Sequence, residues 1–117
     1  MRPMARTVLI VDDHAAFRSR ARRALELDGY EVVGEAADGA SGIAEAARLH
    51  PALVLLDVGL PDASGFAVAA EIAGDGTAVV LTSTREYDAL EAGSAAAGFV
   101  PKAELSGAAL DAVLAER

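Results

Sequence analysis

The sequence predicts an α/β fold in one domain, with a parallel sheet covered by helices on both faces. Strand-like apolar runs alternate with helix-period segments along all 117 residues. Three of those runs, 8–11, 53–56 and 78–81, are apolar throughout, as parallel strands buried on both faces require. Four runs also deliver polar groups at their carboxyl ends, which is where open α/β sheets build their sites. These are Asp12-Asp13, Asp57, Thr82-Ser83 and Lys102.

Taken in order, the first strand falls at 7–12 and the first helix at 14–28, with Phe17, Ala21, Ala24 and Leu25 on one face and Gly29 as its stop. The second strand, 31–35, carries two glutamates and suits an edge. A helix over 39–49 follows, with Ile43, Ala46, Ala47 and Leu49 on its apolar face, Asp38 as its cap and Pro51 closing it. The third strand is 53–57 and the third helix 65–73, with Phe66, Ala69, Ala70 and Ile72 inward. A fourth strand at 78–82 precedes a short helix over 86–92 and a last strand at 98–101. The final helix spans about 107–116, capped by Ser106, with Leu110, Val113 and Leu114 inward. Five repeats of strand then helix, joined by right-handed crossovers, give a flavodoxin-like doubly wound five-stranded sheet with five helices. The expected strand order is 2-1-3-4-5. Asp12, Asp13 and Asp57 then converge at the switch point between the first and third strands.

Composition narrows the function classes. A chain of 117 residues is expected to be one domain, 1–117, and can hide roughly 60–70% of its unfolded surface. No run approaches the roughly 18 continuous apolar residues of a membrane span, and the residues before Val8 do not read as a signal peptide. Without cysteine there is neither a disulfide nor a thiolate metal site. The net charge of −8 disfavours direct contact with nucleic acid or an anionic membrane. The expected location is the cytoplasm. Arg18, Arg20, Arg22 and Arg23 cluster after the first strand, either as a solvated helix face or as a docking surface for an acidic partner.

Three carboxylates about 4 Å apart repel by roughly 4 kcal/mol per pair at an effective dielectric near 20. Such a cluster needs neutralising cations. With oxygen donors only, a hard divalent ion fits: Mg2+ first, with Mn2+ an open alternative. His14 reads as a partly exposed helix-start histidine, and His50 as a helix-end histidine. A carboxylate beside such an ion is suited to phosphoryl transfer, with Asp57 as nucleophile. Lys102, the only lysine, supplies a cation, and Thr82 a hydroxyl donor. Pro61 and Gly65 shape the loop after Asp57 and bring the Gly59 main-chain oxygen toward the metal.

The set Val8-Leu-Ile-Val-Asp-Asp13, Leu53-Val-Leu-Leu-Asp57, Leu60-Pro-Asp-Ala-Ser-Gly65, Val80-Leu-Thr-Ser83 and Gly98-Phe-Val-Pro-Lys102 resembles the receiver domain of two-component response regulators. The resemblance covers essentially the whole chain. It implies that Asp12 and Asp13 hold the metal, that Asp57 accepts phosphate from a sensor histidine kinase or phosphotransfer protein, and that Thr82 and Lys102 contact that phosphate. It also implies a switch in which the threonine moves toward the phosphate and an aromatic on the last strand turns inward. Phe99 holds that place without the hydroxyl of the tyrosine often found there. Control of a downstream effector protein or a linked output domain, and phosphorylation-dependent homodimerisation, belong to the same resemblance.

Two features depart from the family pattern. Ala103 follows Lys102 where many relatives have a cis-proline, so a trans bond is expected. Thr82 and Lys102 lie only twenty positions apart, so the helix over 86–92 should be stunted. The surface near that helix and the last strand is the expected signalling face. Gly59 and Thr84 are small residues beside the pocket, which predicts water access and a short-lived phosphorylated state. Two other readings compete with the phosphorylation switch. A degenerate receiver would bind partners without phosphotransfer. A Mg2+-dependent phosphatase commonly needs a second acid two positions after the nucleophile, where Gly59 stands.

Overall fold

The protein is described here from a computed structural model, which covers residues 6–73, 76–84 and 95–115. Five strands, β1 (Thr7–Val11), β2 (Glu31–Ala36), β3 (Leu53–Asp57), β4 (Ala78–Ser83) and β5 (Gly98–Pro101), form one parallel sheet in the order β2-β1-β3-β4-β5. The described residues hold four α-helices: α1 (Ala15–Leu27), α2 (Gly39–Leu49), α3 (Gly65–Ala73) and α4 (Gly107–Ala115). A 3₁₀ turn, Lys102–Glu104, links β5 to α4. The helix expected over 86–92 lies outside the described residues. No helix among them is long and apolar enough to cross a membrane.

Strand alternation sorts the core into two layers. Leu9, Val11, Val54, Leu56, Val79 and Leu81 pack on α2 and α3 through Ala46, Val68, Ala69 and Ile72. Val8, Ile10, Leu53, Leu55, Val80 and Val100 face the other way, onto Phe17, Ala21 and Leu25 of α1 and Leu110 of α4. Because side chains alternate with a period of two, the residues that continue this second face are Asp12, Asp57, Thr82 and Lys102. The sheet therefore aims all four toward the same layer, and adjacent strands hold them in register: Asp57 pairs with Thr82 across β3 and β4.

Helix ends follow local chemistry. The α1 terminus closes as a Schellman motif: Tyr30 N–H donates to the Leu25 carbonyl and Gly29 N–H to that of Glu26, with Gly29 at φ +94°. Asp38 caps α2 by accepting from Ser41 N–H at 2.7 Å, and Ser106 Oγ accepts from Ala109 N–H at 3.0 Å to cap α4. Two helix faces differ from the sequence reading. Ala47 and Ala70 are exposed, while Gly42 and Val68 are buried. Alanine is indifferent to burial, so apolar counting placed it one helical step off. The Lys102–Ala103 bond is trans, as expected.

Candidate functional site

The apolar strands carry their terminal polar groups into a pocket at the sheet's carboxyl edge. Asp12 is fully buried, Asp57 and Lys102 are nearly so, and Asp13 lies at the rim. Lys102 Nζ sits 2.7 Å from Asp12 Oδ2 and 3.8 Å from Asp57 Oδ2. The same ammonium lies 4.6 Å from the centre of the Phe17 ring, whose face offers a cation–π contact from α1. Sequence reading had placed Phe17 in the core only. Its buried ring also backs the lysine.

Among the described residues, two buried side-chain oxygens lack hydrogen-bond partners: Thr82 Oγ1 and Asp12 Oδ2. For Asp12 Oδ2 this coexists with an ammonium at ion-pair distance, so the charge is compensated although the contact is not aligned as a hydrogen bond. Thr82 Oγ1 has no such compensation. An unpaired buried hydroxyl costs about 1–3 kcal/mol, a cost that a ligand oxygen in the pocket would relieve.

Electrostatics follow from this crowding. Burial raises the Asp57 carboxyl above its ordinary value and the Asp12 charge adds to the rise. Lys102 and the Gly59 main-chain N–H oppose it, and Asp13 adds a smaller push upward. The donor set suits a hard cation. One ligand atom from each of Asp12, Asp13, His14 and Asp57 can be chosen so that all lie within 4.8 Å of one another. Three carboxylates with one fully buried member make the oxygen-rich, negatively charged centre that Mg2+ or Mn2+ requires.

Neighbouring residues hold the site in shape, and several of them were not legible as site residues in the sequence. Arg18, read there as part of a solvated arginine face, donates from Nη1 to the Asp12 carbonyl at 2.6 Å and from Nε to Glu35 at 2.9 Å. Arg22 Nε donates to the other Glu35 oxygen at 2.8 Å. Burial pushes the Glu35 carboxyl up, but the hydrogen bonds and charges of the two arginines hold it below its usual range. Arg20 lies over Phe17 instead. Asp62 accepts from the Gly39 and Ala40 N–H groups at 2.7 and 3.0 Å, which ties the loop after Asp57 to the start of α2 and lowers its own carboxyl. Gly65 packs so tightly that an added Cβ would lie 2.5 Å from the Asp57 carbonyl oxygen. Gly59 and Thr84 are exposed beside the pocket.

This fold and this acidic pocket define a class: the receiver-type signalling domains. The sequence matches the response regulator receiver domain family over residues 8–113, and the chain belongs to that family. It is 40% identical over 106 residues to the virulence-factor transcription regulator BvgA of Bordetella pertussis, covering 86% of this chain and 51% of that protein. To the transcriptional regulatory protein PdtaR of Mycobacterium tuberculosis it is 44% identical over 89 residues, 74% of this chain and 43% of that one. The chain thus spans about half the length of the curated relatives it matches. Among solved structures, the signal receiver domain of the response regulator NarL from Mycobacterium tuberculosis superposes with a TM-score of 0.82 at 34% identity, covering 95% of this chain and 98% of that one. A LuxR-family two-component response regulator from Aurantimonas also gives 0.82, at 30% identity over 97% of this chain and 87% of its own.

Proposed function

We propose that this receiver domain is a phosphoryl-accepting switch whose acceptor is Asp57. A carboxylate oxygen of Asp57 attacks phosphorus. An O–P bond forms while the donor's P–N bond to a kinase or phosphotransfer histidine breaks, and the freed imidazole keeps the electron pair. Asp12, Asp13, Asp57 and the Gly59 main-chain oxygen would hold a Mg2+ ion, with Mn2+ as substitute. When bound, that ion offsets the charge of the phosphoryl oxygens. Lys102 presents its ammonium to one phosphoryl oxygen, and Thr82 donates its hydroxyl to another. The single observation that carries this reading is the meeting of Asp12, Asp57 and the only lysine within 3.8 Å contacts, beside the unpaired Thr82 hydroxyl.

Threonine engagement would shift β4, and Phe99, half-buried on the opposite face of the sheet, would repack. The output is a changed surface near the last strand that controls an effector protein or a linked output domain. The exposure of Gly59 and Thr84 supports water access to the acyl phosphate and hence a short-lived phosphorylated state. The test is intact-mass spectrometry after incubation with acetyl phosphate and Mg2+. The expected result is one phosphoryl adduct on the parent, none on Asp57→Asn, and none on the parent in excess chelator. No adduct on the parent overturns the switch in favour of a phosphorylation-independent interaction module.

A further inference from the structure

His14 stands at the N-cap position of α1 and is largely exposed, as a helix-start histidine should be, yet its contacts go further. Its main-chain N–H donates to Asp12 Oδ1 at 2.8 Å, closing a tight turn at the end of β1. That turn folds the ring back over the acid pair. Nδ1 lies 3.1 Å from Asp12 Oδ1 and also 3.1 Å from Asp13 Oδ1. The ring nitrogen makes a hydrogen bond with Asp12 Oδ1, and its second close oxygen, on Asp13, places it among the donors that a cation in this corner would share. In an octahedral centre with bonds of about 2.1 Å, adjacent ligand atoms lie about 3.0 Å apart. The other oxygen of the fully buried Asp12, Oδ2, faces Lys102 Nζ at 2.7 Å, so Oδ1 is the one turned toward His14.

We infer that the His14 imidazole is a further ligand of this centre, which makes it a mixed nitrogen and oxygen site that favours first-row transition ions over Mg2+. The inference rests on the acidic metal site proposed above and deepens it. Imidazole adds little for Mg2+, which prefers oxygen and surrenders water reluctantly, but it suits Mn2+, Ni2+ and Zn2+ increasingly well. His14 therefore acts on metal choice, while the carboxylates alone sustain Mg2+ binding. His14 is largely exposed, so replacing it leaves the core intact.

The test uses tag-free protein loaded with Mn2+ and pulsed electron paramagnetic resonance, which detects a directly bound 14N. Calorimetric titrations with Ni2+ and Mg2+ accompany it. The expected result is nitrogen coupling in the parent and in His50→Ala, and its loss in His14→Ala. Ni2+ affinity should fall about tenfold or more in His14→Ala, with Mg2+ affinity within about twofold. If the parent binds Mn2+ without nitrogen coupling and Asp13→Asn abolishes that binding, the imidazole ligand is overturned while the carboxylate site stands. Coupling that persists in His14→Ala also overturns it. Failure of the parent to bind Mn2+ or Mg2+ overturns both.

Discussion

At the scale of single residues, Asp57 has the most to reveal through pH. Burial first, and then the Asp12 charge, raise its carboxyl in the folded protein, against Lys102 and the Gly59 N–H, with Asp13 adding a little. A carboxyl raised on folding favours the fold while it is protonated. That contribution is complete below the unfolded value and is lost as pH rises through the folded one. Asp57→Asn has no such loss. Its stability advantage over the parent should therefore be small near pH 4 and grow as pH rises toward 7, then level off. Glu35, held low by Arg22 and Arg18 despite its burial, has the opposite sign but is common to both proteins and cancels. Urea melts across that range measure the gap, and a gap that narrows with rising pH contradicts the assignment. Gly65→Ala tests the other side of the residue, since its Cβ would meet the Asp57 carbonyl and the Val58 Cα, backbone atoms that cannot swing aside. About 1–3 kcal/mol of lost stability is expected in the same melts. Asp12, Asp57, Thr82 and Lys102 were legible in the sequence because each follows an apolar run, and strand alternation fixes which layer each faces. The contacts of His14 and Arg18 were not. A tight turn and a long side chain set them, and neither leaves a periodic trace.

Among the elements, α4 depends on few anchors. Leu110 is its one fully buried large side chain, and its first turn is held by Ser106 Oγ and by Asp28, which accepts from Gly107 N–H at 2.7 Å. Tyr30 adds a hydrogen bond from its hydroxyl to Asp111, and burial, followed by that bond and charge, pushes the phenol up to about 12. Leu110→Ala should cost about 2–5 kcal/mol in thermal or urea unfolding, the range for truncating a fully buried leucine. A loss below about 1 kcal/mol would mean that α4 is not docked as described. The strands were readable to within a residue or so, since uninterrupted apolar runs leave little choice of element. Helix faces were less so where alanine dominates, as at Ala47 and Ala70. Caps contributed from distant segments, such as Asp28 on α4 and Asp62 on α2, were invisible, because sequence distance carries no sign of spatial approach.

On the scale of the whole molecule, a protein of net charge −8 gathers three carboxylates into one corner of the fold, two of them buried, with its single lysine against them. Folding brings those carboxylates together and the unfolded chain lets them part, so a divalent ion that binds the cluster favours the folded state. For one site the gain is about 2.7 kcal/mol when the free ion reaches a hundred times its Kd. In a domain of this size that corresponds to a rise in Tm of roughly 5–15 °C. Ordinary screening also relaxes the repulsion of an acidic surface, so added salt raises Tm without any site. The two effects separate by composition. With ionic strength held constant by NaCl, Mg2+ should raise the parent's Tm and leave Asp13→Asn nearly unmoved. Asp13 is the carboxylate to replace because it sits at the rim, where asparagine leaves packing intact while one charged oxygen donor is removed. Equal shifts in the two proteins would mean that Mg2+ acts on the surface at large, and the acidic corner would then need another explanation for its three converging carboxylates.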